Sequence, residues 1–191
     1  MSETVKAIRI NQNGGPEEMK LVDVDLPELG EFDVLVRHEA VGLNYIDVYF
    51  RTGLYPQEMP GKIGMEASGV VEAIGSRVTY VSVGDRVAYA GQPLGAYSQK
   101  RVMPQNTLIQ LPDSISFEQG AAMMLQGLTV QYLLNDSYKV QAGDTILLHA
   151  AAGGVGLIAV QWLKALGARV IGTVGNQAKA DLAKSFGCDE T

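Results

Sequence analysis

Over residues 1 to about 112, apolar and polar positions alternate in short runs that turn formers interrupt. The runs are VKAIRI, MKLVDVDL, DVLVRHEAVGL, ASGVVEAIG, RVAYA, RVMP and TLIQLP. NQNGGPEE, PELGE and a Gly84-Asp85 turn inside VSVGDRVAY punctuate them. A period of two turns one side of each run inward and the other outward, so each predicts a strand. Many short strands at this spacing predict a small barrel or sandwich.

The period changes near Ser116. Ser116 with Gln119 has the form of a capping box, and a helix is predicted over 117–125. A second helix is predicted over 128–134, ending near Asn135. From Thr145 the pattern is strand, helix, strand, helix: a buried strand at 145–149, a helix at 154–166 stopped by Gly167, and a strand at 169–174. In the last helix Asn176 is the candidate cap, Ala178, Leu182 and Phe186 fall on one face, and Gly187 is the stop. A dinucleotide-binding sheet needs more βα units than these two, so the chain reads as the front part of a longer protein.

Composition narrows the function. Apolar residues are 47% and charged residues 19% of the 191, an ordinary globular balance. A net charge of -6 without a basic cluster disfavours nucleic acid and anionic membranes as partners. The single cysteine, Cys188, excludes an internal disulfide framework and fits a reducing compartment. The start, MSETVKAIRI, lacks the apolar core of a signal peptide. The most apolar run, 150–160, carries three glycines and falls far short of the roughly 20 residues of a spanning helix. A soluble cytoplasmic protein is expected.

The candidate chemistry lies in the turn A-A-G-G-V-G, between the first buried strand and its helix. The three glycine places of a dinucleotide fingerprint fall on Ala151, Gly153 and Gly156, with Gly154 as an extra glycine. A side chain at the middle place would block backbone approach to a pyrophosphate, and the last glycine lets helix and strand close together. Amides at the helix start, from Ala152 through Gly153, Gly154, Val155 and Gly156, would then face the phosphate charge. Ala151 in the first place departs from the pattern. A plain strand-to-helix corner is the competing reading; the strand before, the helix after and the second strand at the right distance favour the cofactor.

An acidic residue after the second strand would hold a ribose 2′-hydroxyl and select NAD. That strand ends GTVGNQAK, with no Asp or Glu before Asp181. Gly175, Asn176 and Lys179 would tolerate a 2′-phosphate, and Lys179 could pair with it or be a solvated helix lysine. NADPH is favoured over NADH.

The run HAAAGGVGLIAVQWLKALGARVIGTVG resembles the zinc-independent quinone oxidoreductases of the medium-chain dehydrogenase/reductase superfamily, the group that includes zeta-crystallin. GLNYIDVYFRTGLYP (42–56), GMEASGVVEAIGSRVTYVSVGDRV (64–87) and FEQGAAMMLQGLTVQYLL (117–134) agree with it. The resemblance covers almost the whole chain. It implies a GroES-like β-rich catalytic domain, set at 1–125, followed by the first part of a Rossmann doubly wound parallel sheet, set at 126–191, with the active site in the cleft between them. It implies that family chains continue through further Rossmann strands and return to complete the catalytic domain. It also implies a homodimer for the full-length protein, paired through a sheet edge largely absent here.

Zinc-containing relatives carry G-H-E where this chain has Gly64-Met65-Glu66, and Met65 is a poor zinc ligand. No cysteine cluster is present, and His38 and His149 sit in strand-like runs, where a satisfied histidine is the better reading. No zinc is expected. Glu66 is left to pair with a cation or a hydrogen-bond donor. Without a metal, the acceptor must itself be electrophilic, as a quinone is, and the protein must offer a flat apolar slot with donors. By resemblance Asn44 lies near the nicotinamide, Tyr45 and Tyr55 line the substrate cleft, and Gln126 and Thr129 begin a helix facing the cofactor. Packing is the alternative for the two tyrosines, and helix capping for Thr129. Asp47 and Arg51, four apart, read as a structural ion pair.

The leading expectation is NADPH-dependent reduction of a quinone, by hydride or by single electrons. The alternatives are reduction of an α,β-unsaturated carbonyl, and a non-catalytic nucleotide- or RNA-binding fragment.

Overall fold

The structure, a computed structural model, describes residues 3–191. The chain divides into two compact units, Met1–Leu125 and Gln126–Thr191.

The first unit holds strands β1 (Thr4–Ile10), β2 (Lys20–Asp25) and β3 (Asp33–Gly42), helix α1 (Tyr45–Thr52), and strands β4 (Gly61–Lys62), β5 (Glu66–Ile74), β6 (Arg86–Ala90), β7 (Lys100–Pro104) and β8 (Ile109–Gln110). These form two antiparallel sheets, one in the order β2-β1-β4 and one in the order β7-β3-β5-β6-β8, linked by a bridge from Ala7 to Ser98. Alternation places Val34 and Val36 of β3 inside, where they meet Ala67, Val71, Val87, Tyr89 and Met103 in the core. Seven of these strands lie on the apolar runs. β4, two residues long, carries no periodic signal. The run before Gly84 forms no strand, although Gly84 does make its turn with φ of 92°.

In the second unit β9 (Thr145–Leu148) and β10 (Arg169–Gly172) pair in parallel, joined by helix α3 (Gly154–Ala165). Helix α4 (Gln177–Ser185) follows, and Glu190 then bridges in parallel to Ile171 of β10. This is the βαβ arrangement that the sequence pattern announces. Gly156, Ala159, Val160 and Leu163 form the buried face of α3, at the spacing of one helical stripe. With Val130, Leu134, Ala151, Val170 and Ala183 they make the second core.

Two expectations about helices need correction. Residues 117–125 and 128–134 are not two helices: α2 (Phe117–Tyr132) is continuous and runs on into a π-helical turn, Leu133–Ser137. The glycine between them, Gly127, costs an exposed helix about 1 kcal/mol without breaking it. The helix start follows the predicted capping box: the Ser116 amide donates to Gln119 Oε1 at 2.9 Å and the Gln119 amide to Ser116 Oγ at 3.2 Å. In α4 the cap also holds, with the Lys179 amide donating to Asn176 Oδ1 at 3.0 Å. Its face is different, however. Ala180 and Ala183 are buried, while Ala178, Leu182 and Phe186 are exposed. Small residues let α4 lie close to its unit, and the longer apolar ones point away.

No helix among the described residues is long and apolar enough to cross a membrane.

Candidate functional site

The first cluster is built around the start of α1. Asn44 ends the loop after β3 in extended backbone and is 6% exposed. Its side-chain nitrogen donates to Glu66 Oε2 at 2.6 Å, and its backbone N–H donates to Asp47 Oδ2 at 3.0 Å, the return half of a capping box. Glu66 Oε1 also accepts from the Leu125 amide at 2.8 Å, so Glu66 is tied by donors and not by a cation. Burial pushes the Glu66 carboxyl above its usual range, opposed by the Asn44 hydrogen bond. Asp47 is likewise raised by burial, opposed by the Asn44 amide and by the Tyr97 hydroxyl, which donates to Oδ2 at 2.8 Å. Tyr97 is itself pushed up by burial and by Asp47.

Asp47 and Arg51 do not form the expected ion pair. Asp47 is committed to the helix start and Tyr97, and Arg51 donates to the Gly14 carbonyl at 2.6 Å. An i, i+4 pair forms only when neither partner has a better-fixed acceptor or donor, and here both have one.

Tyr45 is 75% exposed and Tyr55 42%. Tyr49 links them: its ring lies 5.4 Å from Tyr45 edge-on and 5.4 Å from Tyr55, and Phe50 meets Tyr55 at 5.5 Å. The tyrosines therefore pack against each other and still present aromatic surface outward. Tyr49 was missed, though its place four residues after Tyr45 on a helix is the signal that would find it. Tyr97 and the tie between Asn44 and Glu66 bring together positions far apart in the chain, and no local pattern announces them.

The second cluster is the turn between β9 and α3. Ala150 takes a left-handed backbone with φ of 53°, which ends the strand at Leu148 and turns the chain into the helix. Gly153 is the cap of α3 and offers no side-chain acceptor. Its own amide donates to the Ala150 carbonyl at 2.8 Å, so among residues 153–156 this amide is spent inside the turn. The amides of Gly154, Val155 and Gly156 fall in the first turn of α3, where helical geometry supplies no intrahelical acceptor. A Cβ on Gly156 would run into the Ala150 carbonyl oxygen and the Ala151 backbone, so glycine there sets the approach of helix to strand. A Cβ on Gly154 would meet the side-chain end of Gln126 first.

A cavity of about 340 Å³ opens beside the turn, lined by Ala150, Ala152, Gly153, Thr173, Val174, Gly175 and Lys179. It has no carboxylate in its lining. Asp181, the nearest acid in sequence, accepts from Gln177 Nε2 at 2.8 Å within α4. Gln126 and Thr129 lie inside α2 and not at its start, so neither stands at a helix N-terminus and Thr129 is no cap.

The chain matches two families. Residues 30–113 match the family described as alcohol dehydrogenase GroES-like domain, and residues 154–191 the family described as zinc-binding dehydrogenase. A quinone oxidoreductase of Pseudomonas aeruginosa is 54% identical over 97% of this chain and 58% of its own length. A 2-haloacrylate reductase of a Burkholderia species is 43% identical over 98% of this chain and 58% of its own. A crystal structure of Escherichia coli quinone oxidoreductase complexed with NADPH superposes with a TM-score of 0.94 at 46% identity, over 97% of this chain and 57% of that one. The chain thus spans little more than half the length of these relatives.

The second family's description mentions zinc, and the residues present do not fit that metal. Met65 is buried against Phe50 and Leu94, and Glu66 is engaged by Asn44 and the Leu125 amide. Among the described residues no three of His, Cys, Asp and Glu gather. His38 is held by the Ser98 carbonyl and the Tyr89 hydroxyl at 2.7 and 2.9 Å, and Cys188 lies in the second core. A catalytic zinc needs three such ligands.

Proposed function

We propose that this chain belongs to the zinc-independent quinone oxidoreductase group of the medium-chain dehydrogenase/reductase superfamily, and that it carries the catalytic portion, 1–125, and part of the cofactor-binding portion, 126–191, of an NADPH-dependent quinone reductase. The observation that carries this reading is the bare, glycine-capped start of α3 beside a cavity with a lysine and no carboxylate.

The diphosphate is held by the amides of Ala152, Gly154, Val155 and Gly156, helped by the positive end of the α3 dipole. Gly153 contributes by lacking a side chain. Gly175 and Asn176 leave room for a 2′-phosphate, and Lys179 supplies the opposite charge. Gln126 and Thr129, on α2, assist in holding the cofactor. NADPH, when bound, supplies the reducing equivalents. On the catalytic portion, Tyr45 and Tyr55 give a flat quinone an aromatic face, and Asn44, fixed by Glu66, holds a single orientation near the reacting ring. The task of these residues is to place cofactor and acceptor together and to exclude water. The working form is a cytoplasmic homodimer with no part in nucleic-acid or membrane binding.

Reduction of an activated alkene is a second reading, favoured by the similarity to the 2-haloacrylate reductase. The decay of NADPH absorbance separates the two. Turnover with 1,4-benzoquinone well above that with an α,β-unsaturated carbonyl is expected; the reverse order selects the second reading, and no decay with either acceptor defeats both.

A further inference from the structure

A second charged cavity lies on the first unit, at the junction of β1, β4 and β7. It measures about 340 Å³, and its lining includes Arg9, Lys62, Lys100 and Arg101 against one acid, Asp25. Arg9 and Lys62 stand directly opposite each other across the β1–β4 pair, a placement that is unfavourable for like charges. Lys62 and Arg101 flank Gly95 from the same side: a Cβ there would lie 3.6 Å from Lys62 Cδ and 3.9 Å from Arg101 Cζ.

None of the ion pairs among the described residues involves Arg9, Lys62 or Arg101. Arg101 is only 8% exposed, yet its guanidinium meets neutral partners alone: the Pro93 carbonyl at 2.8 Å, the Leu94 carbonyl at 3.4 Å and the Tyr89 hydroxyl at 3.3 Å. Arg9 donates to the Ile8 carbonyl at 2.9 Å. Its charge is disfavoured by burial and by the nearby Arg101. The other two charged groups are already engaged. Lys100 is paired with Glu3 and Glu72 at 2.7 Å each, and Asp25 accepts from the Thr4 hydroxyl at 2.7 Å. A buried cation without a counter-charge is costly, and a ligand that brings the missing negative charge offsets that cost.

We propose that this cavity binds a small, multiply charged phosphate species, held by Arg9, Lys62 and Arg101. Arginine forks and a lysine suit phosphate oxygens, which accept several charge-assisted hydrogen bonds at once. The volume admits phosphate or pyrophosphate. Its residues all belong to the first unit, and the proposal does not rest on the reading of the turn at 152–156.

The test is calorimetric titration of the protein with inorganic phosphate, pyrophosphate and ADP, with chloride at matched ionic strength as the control. Saturable binding of pyrophosphate, tighter than phosphate, is expected. Arg9→Gln and Lys62→Gln should each weaken it about tenfold, or 1.4 kcal/mol, while leaving the affinity for NADPH unchanged. ADP binding that both substitutions weaken would support the site and identify a nucleotide as the source of the phosphate. Heats no greater than those of chloride would overturn the proposal, as would pyrophosphate binding that neither substitution alters.

Discussion

His38, half-buried on β3, has its two ring nitrogens engaged by Ser98 and Tyr89, and burial drives its pKa from 6.5 down to about 4. The ring is therefore neutral in the folded protein at pH 7. Between pH 6.5 and 4 the unfolded chain takes up a proton that the folded chain does not, so this residue makes stability fall with pH across that window. The loss is about 3 kcal/mol at full extent, from 1.36 kcal/mol per pKa unit. Glu66 and Asp47 act in the opposite sense. Their raised carboxyl pKa values add stability at low pH that is lost as pH rises through the folded values. Urea unfolding of His38→Asn should therefore show a smaller fall in stability from pH 7 to pH 4.5 than the parent protein. Parallel curves would remove His38 from the account.

At the scale of the element, glycine decides what is possible. Gly127 lies inside α2 with open space where a Cβ would go. Gly127→Ala should raise stability by about 0.5–1 kcal/mol in chemical unfolding, which two helices broken at this residue would not allow. Gly156→Ala should do the reverse, because its Cβ meets backbone on the β9–α3 turn. A loss of about 1–3 kcal/mol is expected, together with weaker nucleotide binding, whereas Gly175→Ala, facing open space, should leave stability within about 0.5 kcal/mol. Equal effects at both positions would contradict the packing described for α3. These elements also show what the sequence made legible. Alternation found seven of the eight strands of the first unit and the 3.6-residue period found α3, because each element buries one face. The continuity of α2 was hidden by a glycine that the helix tolerates, and the face of α4 by alanines that pack as well as leucines.

For the whole molecule, the glycine turn, the missing acid after β10 and the poor metal donors were all readable in order along the chain, since each is a local pattern. The Asn44–Glu66 tie, the Tyr97–Asp47 bond and the cations around Gly95 were not, because they exist only once distant strands meet. Lys179 tests the reading of the cofactor's 2′-phosphate. Lys179→Ala should weaken NADPH binding about tenfold and leave NADH unchanged, a pattern visible in fluorescence titrations with each nucleotide. Equal loss for both nucleotides would mean that the lysine does not face that phosphate.

The proposed grip of the α3 start on the diphosphate of NADPH is open to direct observation. Backbone amide resonances followed by NMR during a titration with NADPH report on it residue by residue. Saturable shifts of Ala152, Gly154, Val155 and Gly156 are expected, with smaller ones at Gly175 and Lys179. Saturable binding that leaves the 152–156 amides unmoved while shifting residues elsewhere would contradict it.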